Sequence, residues 1–479
     1  MVGMKAILSA FKSFIKGKKI AVIGAGISNR PLIRWLYPQN SDITVFDVMD
    51  RDNSRLIPIQ KGFEKDGIHL RWKTGAHYLD DLTGYDLIFR TPKMRTDLPE
   101  LARERRRGAI ITSEIALFTE LCPAPLYAVT GSDGKTTTTT LISLLLEQSG
   151  FRVFTGGNIG TPLLSQIEQI QPTDRVVLEL SSFQLMDSLP LIDHAVITNI
   201  IPNHLDFHLS FDEYIDAKKN IFRGQSALGT LTLNAGDETS SPFIAEAKGE
   251  TRYFNTPAYE NCATAWRENG SLFMRHSPAA EPVLIAHEKD VLLPGSFNLE
   301  NILAAALTVA DEVSPGDIMR VAGTFKGVAH RMELVREYHG VRWYNSSVDS
   351  SPQRTMKTLA AFREHGDRPV LIAGGQDKNS DYTGLGEAIV GTSAAVILTG
   401  QNASLIEDAI RSEASAAGVD PADLILLRAD SYEEAVQAAQ NLAVPGGSVV
   451  LSPAGTSYDK FYHFEERGEY FRKLVAALR

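Results

Sequence analysis

The chain reads as α/β, with three domains each built on a mostly parallel sheet, and three features carry that reading. Its 479 residues suggest about three domains at roughly 150 residues each. Short apolar runs alternate with helical patterns along most of the chain, which is the mark of βαβ winding. In each third an apolar run ends in a glycine-containing loop, at Gly24, Gly131 and Gly374. The expected organisation is a Rossmann-like N-terminal domain over residues 1–122, a central P-loop domain with a parallel sheet over 123–327, and a C-terminal Rossmann-like α/β domain over 328–479.

Composition narrows the class. Hydrophobic residues at 43% and charged residues at 22% are ordinary for a globular protein. A net charge of -10 and a pI near 5.6 argue against a nucleic-acid scaffold, yet leave room for local phosphate binding. Cys122 and Cys262 are too few for a disulfide framework and lack metal spacing, which points to reduced thiols in the cytoplasm. Between Met1 and Lys19, five lysines interrupt the apolar residues, so no signal h-region forms. Phe11, Phe14 and Ile15 are expected to pack as a short helix against the first domain. No stretch approaches the roughly 20 apolar residues of a membrane span.

In the first block, Lys18–Gly24 is expected as a strand running into Gly24-Ala-Gly-Ile-Ser-Asn-Arg30 and a helix through Trp35. The next strand, Ile43–Phe46, ends at Asp47, imitating the dinucleotide fingerprint with its acidic residue about 20 positions on. Asn29 stands where that fingerprint needs a third glycine. NAD is therefore disfavoured, while a nucleotide diphosphate at the same helix start, or a glycine turn that binds nothing, stays open. After Asp86–Arg90 come the turn Thr91-Pro-Lys93 and an Arg-rich helix, Leu98–Arg107, whose charges read as a solvated face. Pro123 and Pro125 flank the first boundary.

The second block opens on Ala128-Val-Thr-Gly-Ser-Asp-Gly-Lys-Thr-Thr137. A strand over Leu126–Val129, a turn allowed by Gly131 and Gly134, and a helix from Thr136 make a phosphate cradle. Unpaired N–H groups and the dipole at a helix start attract anions; Lys135 adds a cation for a β/γ-phosphate, and Thr136 a hydroxyl for Mg²⁺. Only Gly-x-x-Gly-Lys-Thr is present, because Val129 occupies the first glycine position of the eight-residue Walker pattern; a plain helix-start turn is the alternative. Downstream, Arg175–Leu180 is a buried-strand pattern carrying Glu179 at its end, and His194–Ile200 leads into Pro202–His208. Ligands bind outside the carboxyl ends of parallel strands, where the P-loop, Glu179 and His204 all fall. A glutamate ending an apolar strand is costly unless paired or on a cation, and Mg²⁺ accepts one or two carboxylates plus phosphates. His204 could equally cap a loop carbonyl. His69, His77, His194 and His208 have no comparable setting. Ser210 and Glu213 form a capping box for a helix through Phe222. That helix carries Lys218 and Lys219, either of which, taken alone, reads as a solvated charge.

Residues 234–293 are less readable and suggest a small sheet excursion. Pro294–Asn301 then opens a helix over Ile302–Ala310, and the chain changes character between Phe325 and Arg331. Beyond that, strands are expected at Gly340–Tyr344, Pro369–Ala373, Ala395–Thr399, Leu424–Ala429 and Ser448–Leu451. Ser431 and Glu434 cap an intervening helix. The Gly374-Gly375 loop with Asp377 and Lys378, and the loop Ser452–Ser457, lie at strand carboxyl ends.

Taken in order, GSDGKTT (131–137), GGNIG (156–160), ELSSFQL (179–185), NHLDFH (203–208), YIDAKK (214–219), FNLEN (297–301), HRME (330–333) and SYDKFYHFEERG (457–468) resemble the Mur ligases over nearly the whole chain. ELSSFQL and SYDKFYHFEERG are similar to the glutamate-adding branch, and no DNPR-type motif of the diamino-acid-adding branch is present. The resemblance implies a UDP-sugar domain, a central ATPase domain and a C-terminal domain that closes over the amino acid. It implies that ATP, with Mg²⁺, phosphorylates the carboxylate of UDP-N-acetylmuramoyl-L-alanine, that the amine of D-glutamate attacks the acyl phosphate, and that phosphate leaves. A cytoplasmic monomer is expected, with no nucleic-acid partner and no membrane insertion.

Residue by residue, the resemblance assigns Gly131, Ser132, Asp133, Gly134, Lys135, Thr136 and Thr137, with Asn298 and Arg331, to ATP. Lys135, Glu179, His204 and Lys218 fall to catalysis. Thr136, Glu179, His204 and Lys218 are the implied metal ligands, Lys218 as a carbamate with Lys219 as its rival; carbamylation needs a lysine whose pKa is lowered by burial and neighbouring charge. Ile27, Ser28, Asp47, Asn158 and Ser181 fall to the UDP-substrate, and Lys378, Ser457 and Phe464 to the glutamate pocket. The chain departs from the family pattern at Phe297, Lys93 and Gln376, and at Ser346, which replaces an aspartate expected near ATP; Asp349 is not counted on to substitute. Two other readings stay open, a Mur-type or folylpolyglutamate-type ligase using another amino acid such as L-glutamate and a non-catalytic nucleotide-binding paralogue; a Rossmann dehydrogenase is disfavoured by Asn29 and would need NAD binding.

Overall fold

A computed structural model describes residues 2–40, 42–186, 188–259, 261–416 and 425–479, with side chains from residue 7 onward. Met1, and Leu424 at the start of one expected strand, lie outside the described residues. The apolar runs become strands. In the first sheet β1 (Ile20–Ile23), β2 (Ile43–Asp47), β3 (Arg71–Thr74), β4 (Leu87–Phe89) and β5 (Ile110–Thr112) are all parallel, in the order β3-β2-β1-β4-β5. The winding reverses beside β1, which opens a crevice at the strand carboxyl ends, where Gly24 sits. β1 is buried at every position, as expected of a strand covered on both faces. In the helix Val2–Phe14, Phe11 stacks on Trp35 at 6.2 Å, and Ile15 just beyond it is buried. Phe14 corrects the expectation: it is 43% exposed, with the Lys18 ammonium over its ring.

The second sheet comprises β6 (Leu126–Thr130), β7 (Val153–Gly157), β8 (Arg175–Glu179), β9 (His194–Ile197), β10 (Thr230–Asn234), β11 (Glu250–Phe254), β12 (Ala263–Glu268), β13 (Ser271–Arg275) and β14 (Val283–His287). Its order is β14-β13-β12-β11-β10-β9-β6-β8-β7. The strands run parallel from β7 across to β12, and β13 turns back antiparallel through Asn269-Gly270, both at positive φ, as a tight hairpin turn requires. Residues 234–293 are therefore no separate excursion; they extend the central sheet strand by strand. One apolar core runs from Ile20 and Leu32 under the first sheet through Leu117 and Phe118 to Leu178 and Ile197 under the second.

The third sheet holds β15 (Glu333–Tyr338), β16 (Val341–Asn345), β17 (Val370–Ala373), β18 (Ala395–Leu398), β19 (Ile425–Arg428) and β20 (Ser448–Leu451), in the order β15-β16-β20-β17-β18-β19. Only the edge strand β15 is antiparallel among the described pairings. The helix preceding this sheet in sequence spans Ser296–Thr308 and starts before the expected Ile302, so Phe297–Asn301 is helical. The chain divides into two compact units, Met1–Ile285 with Asn301–Ile318 and Ala286–Glu300 with Met319–Arg479. No helix among the described residues is long and apolar enough to cross a membrane.

Candidate active site

β6 ends at Thr130, and the chain turns through Gly131 (φ 152°) and Gly134 (φ 80°) into the helix Lys135–Gln148. Both glycines are required by close approach. A Cβ on Gly131 would lie 1.9 Å from Thr198 Oγ1, and one on Gly134 would lie 2.5 Å from Asn301 Oδ1. The segment after β9 walls the loop: Ser132 N–H donates to Asn199 O at 2.9 Å, Asp133 N–H to Asn199 Oδ1 at 3.0 Å, and Thr198 Oγ1 to Asp133 O at 2.6 Å. Lys135 Nζ folds over the loop onto the Gly131 and Ser132 carbonyls, each at 2.9 Å. Thr137 is buried, and Thr138 donates to Asn301 Oδ1 at 3.1 Å.

Glu179, the last residue of β8, is 2% exposed. Its Oε2 accepts from Thr136 Oγ1 and its Oε1 from Asn158 Nδ2, each at 2.7 Å. Asn158 N–H also donates to Glu179 O at 2.7 Å, an approach open only to glycine at 157, where a Cβ would sit 2.2 Å from that carbonyl. Lys218, on the helix Phe211–Arg223, is 1% exposed and donates to Gly131 O at 2.7 Å and Thr130 Oγ1 at 3.3 Å. Burial, reinforced by repulsion from Lys135, pushes its pKa well below the ordinary lysine value. Lys218 is thus not a solvated charge. Lys219 instead turns outward to an ion pair with Glu246.

His204 adopts a left-handed backbone (φ 56°) with its ring 4.9 Å from that of Phe183. Desolvation lowers its pKa, Lys135 and Lys218 adding to the effect and Asp206 opposing it. Of the four residues expected around a metal, Thr136 and Glu179 touch directly, whereas no hydrogen bond among the described residues ties His204 or Lys218 to Glu179. No cluster of three His, Cys, Asp or Glu side chains forms a ready cage among the described residues. A buried carboxylate beside a P-loop hydroxyl nevertheless fits Mg²⁺, which takes few protein ligands and completes its shell with phosphates and water.

In the first sheet Asp47 is buried, Oδ2 accepting from Ala25 N–H at 2.8 Å and Oδ1 from Met49 N–H at 3.0 Å, so it braces the glycine turn. Asn29 donates to Ile23 O and Gly24 O, both at 2.9 Å, binding the helix start to the strand end. Ile27 is 71% exposed, and Ser28 precedes the helix Asn29–Leu36 without a side-chain cap bond. Ser181 makes a full capping box with Gln184.

In the second unit, Asn298 is buried and donates to Pro294 O at 2.7 Å, while Phe297 is 40% exposed. Arg331 is exposed between His330 and Met332, both at positive φ. Lys378 lies exposed with Nζ 5.3 Å from the Tyr458 ring centre. Ser457 is buried, and Phe464 opens the helix Phe464–Ala477, edge-on to His330. Ser346 is buried, its Oγ accepting from Met332 N–H at 3.3 Å. Asp349 accepts from Thr358 Oγ1 and Ser452 Oγ, both at 2.8 Å, and is a cross-brace of this unit. Gln376 pairs through its main chain with Thr456, and Lys93 is exposed.

Three site-lining residues went unrecognised in the sequence. Asn301 packs on the P-loop helix, and the signal was its position three residues after Asn298 on one helix. Tyr214 Oη lies 2.9 Å from Ser132 Oγ, one turn before Lys218. His208 is 2% exposed with Nε2 2.9 Å from Ser182 Oγ, and burial lowers its pKa despite Glu213 nearby.

Family models match in two places: the Mur ligase middle domain over residues 129–309 and the Mur ligase, glutamate ligase domain over 330–455. The chain is 45% identical over 476 residues to the UDP-N-acetylmuramoylalanine--D-glutamate ligase of Acetivibrio thermocellus, covering 99% of this chain and 100% of that one. It is 44% identical to the ligase of the same name from Ruminiclostridium cellulolyticum, covering 98% and 99%. Among solved structures, UDP-N-acetylmuramate-alanine ligase MurC of Thermotoga maritima is similar at a TM-score of 0.55 and 17% identity, covering 96% of this chain and 99% of that one. UDP-N-acetylmuramoyl-L-alanyl-D-glutamate--2,6-diaminopimelate ligase is similar at a TM-score of 0.54 and 17% identity, covering 82% and 87%.

Proposed function

The chain belongs to the Mur ligase family, and from that premise we propose that it joins D-glutamate to UDP-N-acetylmuramoyl-L-alanine, driven by ATP, in peptidoglycan precursor synthesis. Full-length likeness to ligases of that name carries the choice of substrates. The grouping of Thr136, Glu179, Asn158 and Lys218 at the ends of β6 and β8 supports the chemistry.

A carboxylate oxygen is a poor leaving group and phosphate a good one, so phosphorylation replaces one difficult step by two easier ones. With the Ser132 and Asp133 N–H groups held by Asn199, the N–H groups at the start of the helix from Lys135, and the Lys135 side chain, bind the transferring phosphoryl and neutralise its charge. Mg²⁺, when bound, adds charge neutralisation at the phosphate oxygens, with Thr136, Glu179, His204 and Lys218 as its proposed protein ligands. Burial and the nearby Lys135 charge push the Lys218 amine towards its unprotonated form, the form that adds carbon dioxide to become a carbamate. The substrate carboxylate oxygen takes the γ-phosphoryl group as its bond to ADP breaks; the glutamate amine then attacks the acyl carbon, the C–N bond forms, the C–O bond to phosphate breaks, and the amine proton passes to the departing phosphate or water.

The proposed contacts to ATP are Gly131–Thr137, Asn298 and Arg331; those to the UDP-substrate are Ile27, Ser28, Asp47, Asn158 and Ser181; those to glutamate are Lys378, Ser457 and Phe464. The proposal places a monomer in the cytoplasm, over domains at 1–122, 123–327 and 328–479. It is tested with UDP-N-acetylmuramoyl-L-alanine carrying oxygen-18 in its carboxylate. One label should appear in the phosphate released with D-glutamate; unlabelled phosphate would overturn the acyl-phosphate route.

A further inference from the structure

The loop after β4 carries an arginine at each end, and both reach the second sheet. Arg90, 4% exposed, donates to Met186 O at 2.7 Å, just past the short helix Ser182–Leu185. Arg95 forks onto Glu213, Nη2 to Oε1 at 2.9 Å and Nη1 to Oε2 at 3.2 Å, and donates to Phe207 O at 3.0 Å. Glu213 was expected to return to the N–H of Ser210. Its Oε2 instead accepts from Leu209 N–H at 2.8 Å and lies 3.5 Å from His208 Nδ1.

His208 stands between these segments. Nε2 is 2.9 Å from Ser182 Oγ, the ring is parallel to Phe183 at 5.7 Å, and Phe207 and Tyr214 meet it edge-on at 5.4 and 5.3 Å. Tyr214 in turn reaches Ser132 of the P-loop. Nδ1 makes no hydrogen bond among the described residues, and the Glu213 carboxylate faces it at 3.5 Å; a carboxylate only accepts, so that proximity favours the proton on Nδ1 and leaves Nε2 to accept the Ser182 hydroxyl proton. Ser182 lies three residues beyond Glu179.

We propose that His208 is a positioning residue: packed between Phe183, Phe207 and Tyr214 and faced by the Glu213 carboxylate that Arg95 of the first sheet's loop holds in place, it fixes Ser182 and thereby the segment that presents Glu179 to Thr136. The inference rests on the reading of Glu179 and the P-loop as the reacting site. It assigns a task to the Arg95–Glu213 pair, which ties the proposed UDP-substrate block to the P-loop through side chains that touch no reactant.

Two measurements test it. Nitrogen-15 spectra of histidine-labelled protein without substrates should show His208 as the Nδ1–H tautomer; the Nε2–H tautomer overturns the chain. In phosphate-release kinetics His208→Phe, which keeps the ring stack and loses the bond to Ser182, should lower kcat by about tenfold, because small misplacements at a reacting centre are expensive. KM for ATP should stay within about twofold, and His208→Gln, whose amide oxygen reaches the Nε2 position, should restore most of the rate. A kcat for His208→Phe equal to that of the parent, with only a lower unfolding midpoint, overturns the positioning role. Should the Phe variant not fold, His208→Asn, too short to reach Ser182, takes its place with the same two outcomes. Parent protein without turnover would refute the proposed function instead, and the tautomer would still decide whether the chain exists.

Discussion

Glu179→Gln separates holding the site together from chemistry. Each carboxylate oxygen has one donor, Thr136 Oγ1 and Asn158 Nδ2, both at 2.7 Å. In the variant the amide oxygen turns towards the Asn158 Nδ2 group, which only donates, and the amide NH₂ towards Thr136, whose hydroxyl can accept. Both bonds survive without charge. A charge-assisted bond contributes about 1.5–3 kcal/mol against about 0.5–1.5 for a neutral one, so the loss is about 1 kcal/mol per bond and ~2 kcal/mol in all. Folding should therefore persist with a modestly lower denaturation midpoint. On the proposed function, turnover loses the anion that would hold Mg²⁺ beside Thr136, and preorganised charged groups of this kind are worth about 100- to 1,000-fold in kcat. The assay is ATP-dependent phosphate release beside a denaturant titration. A kcat within about threefold of the parent, with the stability loss as expected, would refute the role of Glu179 and leave it a structural brace.

Lys218→Ala should lose activity by about 100-fold or more and regain part of it with short carboxylic acids, which replace the carbamate; Lys219→Ala should stay within about twofold, since its ion pair with Glu246 is exposed. The opposite pattern would shift the assignment by one residue. Lys378→Ala should raise the KM for glutamate by about tenfold or more, the worth of one charged contact, and an unchanged KM removes it from the pocket. Burial raises the Glu114 carboxyl to about 7 even though Leu164 N–H donates to it at 2.9 Å. A carboxyl raised on folding keeps its proton while the unfolded chain gives its own up, so stability falls as pH rises from about 4.5 towards 7 and then levels. Glu114→Gln should match the parent at pH 4 and exceed it at pH 8 by on the order of 3 kcal/mol; equal stability at both pH values would contradict the burial argument.

The P-loop, the strands that feed it and the alternation of the third sheet were legible because apolar runs bounded by glycine leave few other solutions. β3 and β5 escaped because each is half-exposed at a sheet edge, with Arg71 and Lys73 alternating in the former. β11 was hidden by Arg252, a buried guanidinium in mid-strand; its charge is met by Glu250, two residues back, and by Asp311, 59 residues on, the second a partner that only the fold supplies. The same limit applied at the site. Glu179 announced itself by ending an apolar strand, and the choice of Lys218 over Lys219 came from the family resemblance until burial separated them. His208 was set aside in the sequence, since Ser182, Glu213 and Arg95 come from three separate segments.

The decisive measurement is phosphate release by the purified protein with ATP, Mg²⁺ and UDP-N-acetylmuramoyl-L-alanine, comparing D-glutamate, L-glutamate and no amino acid. Release with D-glutamate alone is the predicted result. Release with L-glutamate alone would keep the mechanism and change the substrate, and folded protein that releases phosphate in none of the three would contradict ligase function altogether.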